Sequence, residues 1–99
     1  MGHRRTPQAD ADVDGIWYYV ASSSGSLDIA DRLIDAITDR FFLLANHPNI
    51  GRPRDEDLGS RLRSFPVGEY VIIYRIEDDD VVILRVLRDS RDMAALFSE

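Results

Sequence analysis

Ninety-nine residues make one domain, long enough to bury roughly 60–70% of its unfolded surface and so hold a core without covalent staples. The chain has no cysteine, which excludes disulfides and thiol metal sites, and its two histidines, His3 and His47, are too few and too far apart for a zinc site. A net charge of −6 at pH 7 argues against broad nucleic-acid binding, and the positive charge is all arginine, with no lysine. No apolar run approaches ~18 residues and no signal peptide is visible, so neither metal, cofactor nor membrane is expected and the expected location is the cytoplasm.

In chain order, Met1–Thr6 is short and polar and leaves room for a brief edge strand. Pro7 opens a helix, with Asp10, Asp12 and Asp14 in its first turns where negative charge suits the helix dipole. Ala9, Val13, Ile16, Trp17 and Val20 form one apolar stripe, which reads Trp17 as core. The run Ser22–Ser26 is expected to break this helix. A second helix follows from about Leu27 to Asn46, capped by Ser26, with Ile29, Ala30, Leu33, Ile34, Ile37, Phe41, Leu44 and Ala45 on a broad apolar face. Phe42 lies off that stripe, either packed under a loop or exposed to a partner. His47-Pro48-Asn49-Ile50-Gly51 stops the helix, and residues 52–60 read as a polar connection.

The rest of the chain is organised around RLRSFPVGEYVIIYRIEDDDVVILRVLRDSR, residues 61–91. Its Val, Ile, Tyr and Phe runs predict three antiparallel strands, Arg61–Phe65, Glu69–Ile76 and Val81–Arg88, with turns at Val67-Gly68 and Asp78-Asp79. A loop centred on Asp78-Asp79 pairs Ile76 with Val81. Regular pairing outward then puts Val71, Ile73, Val82, Leu84 and Val86 on one face, with Glu69 opposite Arg88 at its end. Tyr70, Ile72, Tyr74, Ile76, Ile83, Arg85 and Leu87 share the other. The purely aliphatic face is expected to be the core, and the Tyr/Ile/Arg face to be a surface that another molecule covers; a one-residue slip would exchange them. Asp89–Glu99 is expected to close the chain as a short helix or turn. The reading is an α+β fold in which an antiparallel helical hairpin packs on a three-stranded antiparallel sheet.

No glycine-rich phosphate loop or serine triad is present, and Asp78-Asp79-Asp80 lacks the spaced ligands of a calcium loop. What remains is arginine with tyrosine: Arg61, Arg63, Arg75, Arg85, Arg88 and Arg91, with Tyr70 and Tyr74. Arginine clamps phosphate or carboxylate but is no general base, so the set is better built for binding than for proton transfer.

Four stretches in order, PQADADVDGIWYYVA, ADRLIDAITDRFFLLANHPNIGRPR, LRSFPVGEYVIIYRI and VVILRVLRDSRD, resemble a ParE-type toxin of the RelE/ParE toxin–antitoxin superfamily. The resemblance covers Pro7 to Phe97 and implies the RelE/ParE-like fold: a short strand, a helical hairpin and a three-stranded sheet. It also implies no cofactor, a ParD-like antitoxin partner whose C-terminal segment wraps the toxin, a toxin–antitoxin hetero-oligomer, and DNA gyrase as the target. The other branch of the superfamily cleaves messenger RNA on the ribosome. That branch has lysines where this chain has Arg61 and Arg63, a catalytic arginine where it has Val71, an arginine matched by Arg91, and often a tyrosine where it has Phe97. ParE relatives often have a histidine where this chain has Arg88. The departures from the ribonuclease branch favour a gyrase inhibitor, with no catalytic residues, over a ribonuclease, while Arg88 departs from the ParE pattern; a non-toxic binding relative is the third reading. Target or antitoxin contacts are expected at Arg61, Arg63, Tyr70, Tyr74, Arg85, Arg88 and Arg91.

Overall fold

A computed structural model describes residues 2–55 and 61–88 of the chain. Strand β1 (His3–Arg5) leads into helix α1 (Pro7–Ser24) and helix α2 (Leu27–Asn46), followed by a single 3-10 turn at Pro48–Ile50. Strands β2 (Arg52–Pro53), β3 (Arg63–Val67), β4 (Tyr70–Glu77) and β5 (Asp80–Leu87) complete the described chain. They form one sheet in the order β1-β5-β4-β3-β2, parallel between β1 and β5 and antiparallel elsewhere. The expected three strands are therefore its centre, widened by a short strand on each edge. The brief N-terminal strand was legible. The other edge was not: β2 is two residues long and contains a proline, which an edge strand tolerates and which reads as loop.

Helix α1 starts where Thr6 provides a cap. Its hydroxyl accepts from the Ala9 N–H at 3.0 Å and donates to the Leu84 carbonyl at 2.8 Å, so one side chain both begins the helix and ties it to β5. The helix ends inside the expected run, after Ser24. Ser24 returns its hydroxyl to the Val20 carbonyl, and the stop comes at Gly25, whose φ of 69° suits glycine. Helix α2 has the expected bounds, with Ser26 accepting from the Ile29 N–H. Trp17 is only partly buried and crosses the hairpin, its indole N–H donating to Asp31 at 2.8 Å. Ile29, expected in the core, is exposed.

The two sheet faces are exchanged relative to the sequence expectation, though not at Val86, which lies in the core as expected. Ile72, Tyr74, Val81, Ile83 and Val86 pack beneath the helices with Ala9, Val13, Ile37, Phe41 and Leu44. Leu62, Ile73 and Leu87, with Val71 and Leu84 against them, form a smaller cluster on the opposite face. Both faces are apolar, so hydrophobicity could not choose between them. Tyr74 can be fully buried because its polar tip is satisfied: its hydroxyl donates to the Pro48 carbonyl at 2.6 Å and accepts from the Gly51 N–H at 2.9 Å. Pairing begins as expected, with Ile76 opposite Val81 and Tyr74 opposite Ile83, across a two-residue turn at Asp78-Asp79. A bulge then intervenes, leaving Leu84 extra, so that Ile73 faces Arg85 and Ile72 faces Val86. The first hairpin turns at Gly68-Glu69, one residue beyond expectation, with Gly68 at φ 58°.

His3, on β1, lies edge-on to Phe42 at 4.9 Å and tilted over Phe41 at 5.7 Å, so Phe42 is exposed yet carries a histidine. Burial first, and then the Arg5 charge, push the His3 pKa below its usual 6.5. The folded state thus takes up the proton later than the unfolded chain as pH falls. This contribution is full above the unfolded value near 6.5 and is lost as pH drops through the lower folded value. Urea midpoints measured from pH 7.5 to 5 should fall for the natural chain and fall less for His3→Leu; identical slopes would refute the assignment.

The expected closing helix or turn, with Arg91, Met93, Leu96 and Phe97, lies outside the described residues. Among the described residues, no helix is long and apolar enough to cross a membrane.

Candidate binding surfaces at the two ends of the sheet

The expected site residues do not converge. They divide between the two ends of β4, about 20 Å apart if measured from Tyr70 to Ile76 at the usual strand rise.

At one end, β2 and the start of β3 gather Arg52, Arg54, Arg61 and Arg63. The Arg63 guanidinium donates to the carbonyls of Gly51 at 2.7 Å and Asn49 at 3.2 Å, clamping the 3-10 turn to the sheet. Arg54 donates to the Ser64 hydroxyl at 3.0 Å. Arg61 adopts a left-handed backbone, φ 68°, and its N–H donates to the Asp55 carboxylate at 2.7 Å. A cleft of about 370 Å³ is lined by Pro53, Asp55, Arg61, Leu62, Arg63 and Ile76. Asp55, a carboxylate beside these arginines, was missed in the sequence because it lay in the polar connection.

At the other end, α1 packs against β5. The Asp12 carboxylate receives Arg85 through Nε at 2.7 Å and Nη2 at 2.9 Å, and also the Val86 N–H at 2.9 Å. This bidentate bond is what raises the Arg85 pKa most. Arg85 is therefore engaged within the chain rather than presented to a partner. Below this clasp a cleft of about 370 Å³ runs along α1, with Gly15, Ile16, Tyr19, Tyr70, Val86, Leu87 and Arg88 among its lining. Arg88 lies over the Tyr19 ring at 5.4 Å, donates to its hydroxyl at 3.4 Å, and sits 3.8 Å from Glu69. The bond from Arg88, and then one from Ser23, lower the pKa of the Tyr19 phenol, while burial raises that of Tyr70.

Of the seven expected contacts, Arg61 and Arg63 are at the first end, and Tyr70, Arg85 and Arg88 at the second. Arg91 lies outside the described residues. Tyr74 is removed from any outer surface, because its ring is buried beneath the helices. Tyr19 and Gly15 were missed. Tyr19 stands one residue off the apolar stripe of α1, and its proximity to Arg88 depends on packing across 69 residues of chain.

Among the described residues, no group of three or more His, Cys, Asp or Glu side chains could hold a metal ion. The family model described as the ParE toxin of the parDE type II toxin–antitoxin system matches residues 4–93. Toxin ParE3 of Caulobacter vibrioides is 34% identical over 91 residues, which is 92% of this chain and 89% of the relative. Toxin ParE1 of the same organism is 35% identical over 95 residues, 94% of each. Toxin RelE3, also from that organism, is 34% identical over 80 residues, 81% of this chain and 85% of the relative. Among solved structures, a chain of the chromosomal ParDE system from P. aeruginosa shares the fold, with a TM-score of 0.77 at 22% identity over 89% of this chain and 95% of that one. A chain of the RelBE2 toxin–antitoxin complex from Mycobacterium tuberculosis superposes with a TM-score of 0.68 at 27% identity, over 89% and 96%. This chain belongs to the ParE toxin family of type II toxin–antitoxin systems.

Proposed function

We propose that this toxin inhibits DNA gyrase in the cytoplasm and is neutralised in a hetero-oligomer with a ParD-like antitoxin. The observation that carries the reading is the match of the ParE family model across residues 4–93. The side chains support it. Val71, where the ribonuclease branch is expected to have its catalytic arginine, packs against the small apolar cluster on the outer face of the sheet. Arg63, where that branch has a lysine, spends its guanidinium on two backbone carbonyls of its own chain. A group so engaged is poorly placed to stabilise a cleaving phosphate.

Purified, antitoxin-free protein should inhibit gyrase supercoiling in a dose-dependent way, with cleaved DNA accumulating, and added antitoxin should reverse the effect. Folded protein that spares gyrase and cuts ribosome-bound messenger RNA would replace this reading with the ribonuclease one, which the likeness to Toxin RelE3 favours.

A further inference from the structure

Gly15 lies in the interior of α1, where glycine is the least stabilising residue short of proline. Nothing among the described residues requires it there. Its backbone is not left-handed, and an added Cβ would meet no atom of the described residues within 4 Å. Alanine would fit and strengthen the helix. The vacant space opens into the cleft between α1 and β5, whose apolar walls include Ile16, Val86 and Leu87.

The cleft also has a definite charge. The Asp12 carboxylate at its head is matched by Arg85 and by the Val86 N–H. Arg88 at its rim is half exposed, and Glu69, the carboxylate described near it, is 3.8 Å away on a largely exposed side chain. Such a contact contributes little, and the bond to the Tyr19 hydroxyl uses one N–H, so among the described residues Arg88 keeps donors for a second carboxylate.

We infer that Gly15 lets an apolar segment of the antitoxin, carrying an acidic residue for Arg88, lie directly against the α1 backbone. The inference rests on the toxin–antitoxin reading and adds the point of closest approach. A methyl group at residue 15 holds the segment off the helix, and a larger side chain occupies its place. The chain thus gives up helix stability at a position that only a partner uses.

The test is titration of the full-length cognate antitoxin against purified natural toxin, Gly15→Ala and Gly15→Leu, with a thermal melt of each. Gly15→Ala should melt roughly 4–8 °C higher and yet bind roughly tenfold more weakly. Gly15→Leu should lose roughly a hundredfold in affinity while remaining folded. Arg88→Glu should weaken the same complex. Antitoxin affinity unchanged in Gly15→Leu overturns the inference and leaves the toxin–antitoxin reading intact. A higher melt with no affinity change in Gly15→Ala counts equally against it. Natural toxin that binds no antitoxin would overturn both.

Discussion

Gly51→Ala should destabilise the protein by roughly 3–5 kcal/mol, a large share of the ~5–15 kcal/mol that holds a typical domain folded. The reason is space rather than backbone freedom, since Gly51 has φ −71° and ψ 153°, a conformation any residue adopts. An added Cβ would overlap the hydroxyl, Cζ and Cε1 of Tyr74, a rigid ring that is wholly buried. Relief would have to come from moving either the ring or the turn. Moving the turn breaks the bond from the Gly51 N–H to the Tyr74 hydroxyl and disturbs the Arg63 clamp on the Gly51 carbonyl. Urea unfolding would measure the loss, and a double-mutant cycle would locate it. Gly51→Ala with Tyr74→Leu should cost less than the sum of the two single changes by more than ~1 kcal/mol, because the leucine removes the obstruction. A Gly51→Ala variant within ~0.5 kcal/mol of the natural chain would show that the turn yields freely.

Asp12→Ala should cost roughly 2–4 kcal/mol by removing three hydrogen bonds and leaving a guanidinium three-quarters buried without its counter-charge. The penalty arises mostly from orphaning Arg85. Replacing both members, as Asp12→Leu with Arg85→Met, should therefore recover most of it, less the unmet Val86 N–H. Equilibrium denaturation of the two variants separates the explanations. If the double variant were as unstable as Asp12→Ala, the pair would be contributing attraction beyond mutual neutralisation. This clasp forms next to the bulge in β5, which places Arg85 opposite Ile73.

The helical hairpin was legible almost residue by residue because its signals are local. Pro7, Ser26 and the apolar spacing of Ile37, Phe41 and Leu44 each act within a turn or two of the chain. The hairpin register at Ile76–Val81 was legible for the same reason, since two aspartates fix the turn. The choice of core face was not, because β4 is apolar on both sides and the decision falls to Pro48 and Gly51, which satisfy the Tyr74 hydroxyl from 26 and 23 residues away. The bulge at Leu84 carries no glycine or proline to announce it. The candidate surfaces fared worse than the fold. Arginine composition marked the right strands but could not tell Arg85, tied to Asp12, from Arg88, which faces the cleft. Gly15 had no signal in the sequence alone, because its meaning lies in empty space beside it.

The parallel pairing of β1 with β5 joins segments 78 residues apart, and Thr6 hydrogen bonds land on Ile83 and Leu84. Closing a loop of that length costs about 4 kcal/mol of chain entropy before the contacts across it compensate. Helix α1 is fastened to β5 by Asp12 as well, so its place in the core exists only once that strand has been made. During synthesis the first helix therefore leaves the ribosome long before the strand that seats it. A chain arrested anywhere before β5 lacks one wall of the α1–β5 cleft and the strand that seats the other. A toxin assembled this way completes the cleft proposed for its antitoxin late in translation, and the interval gives a resident antidote time to be at hand.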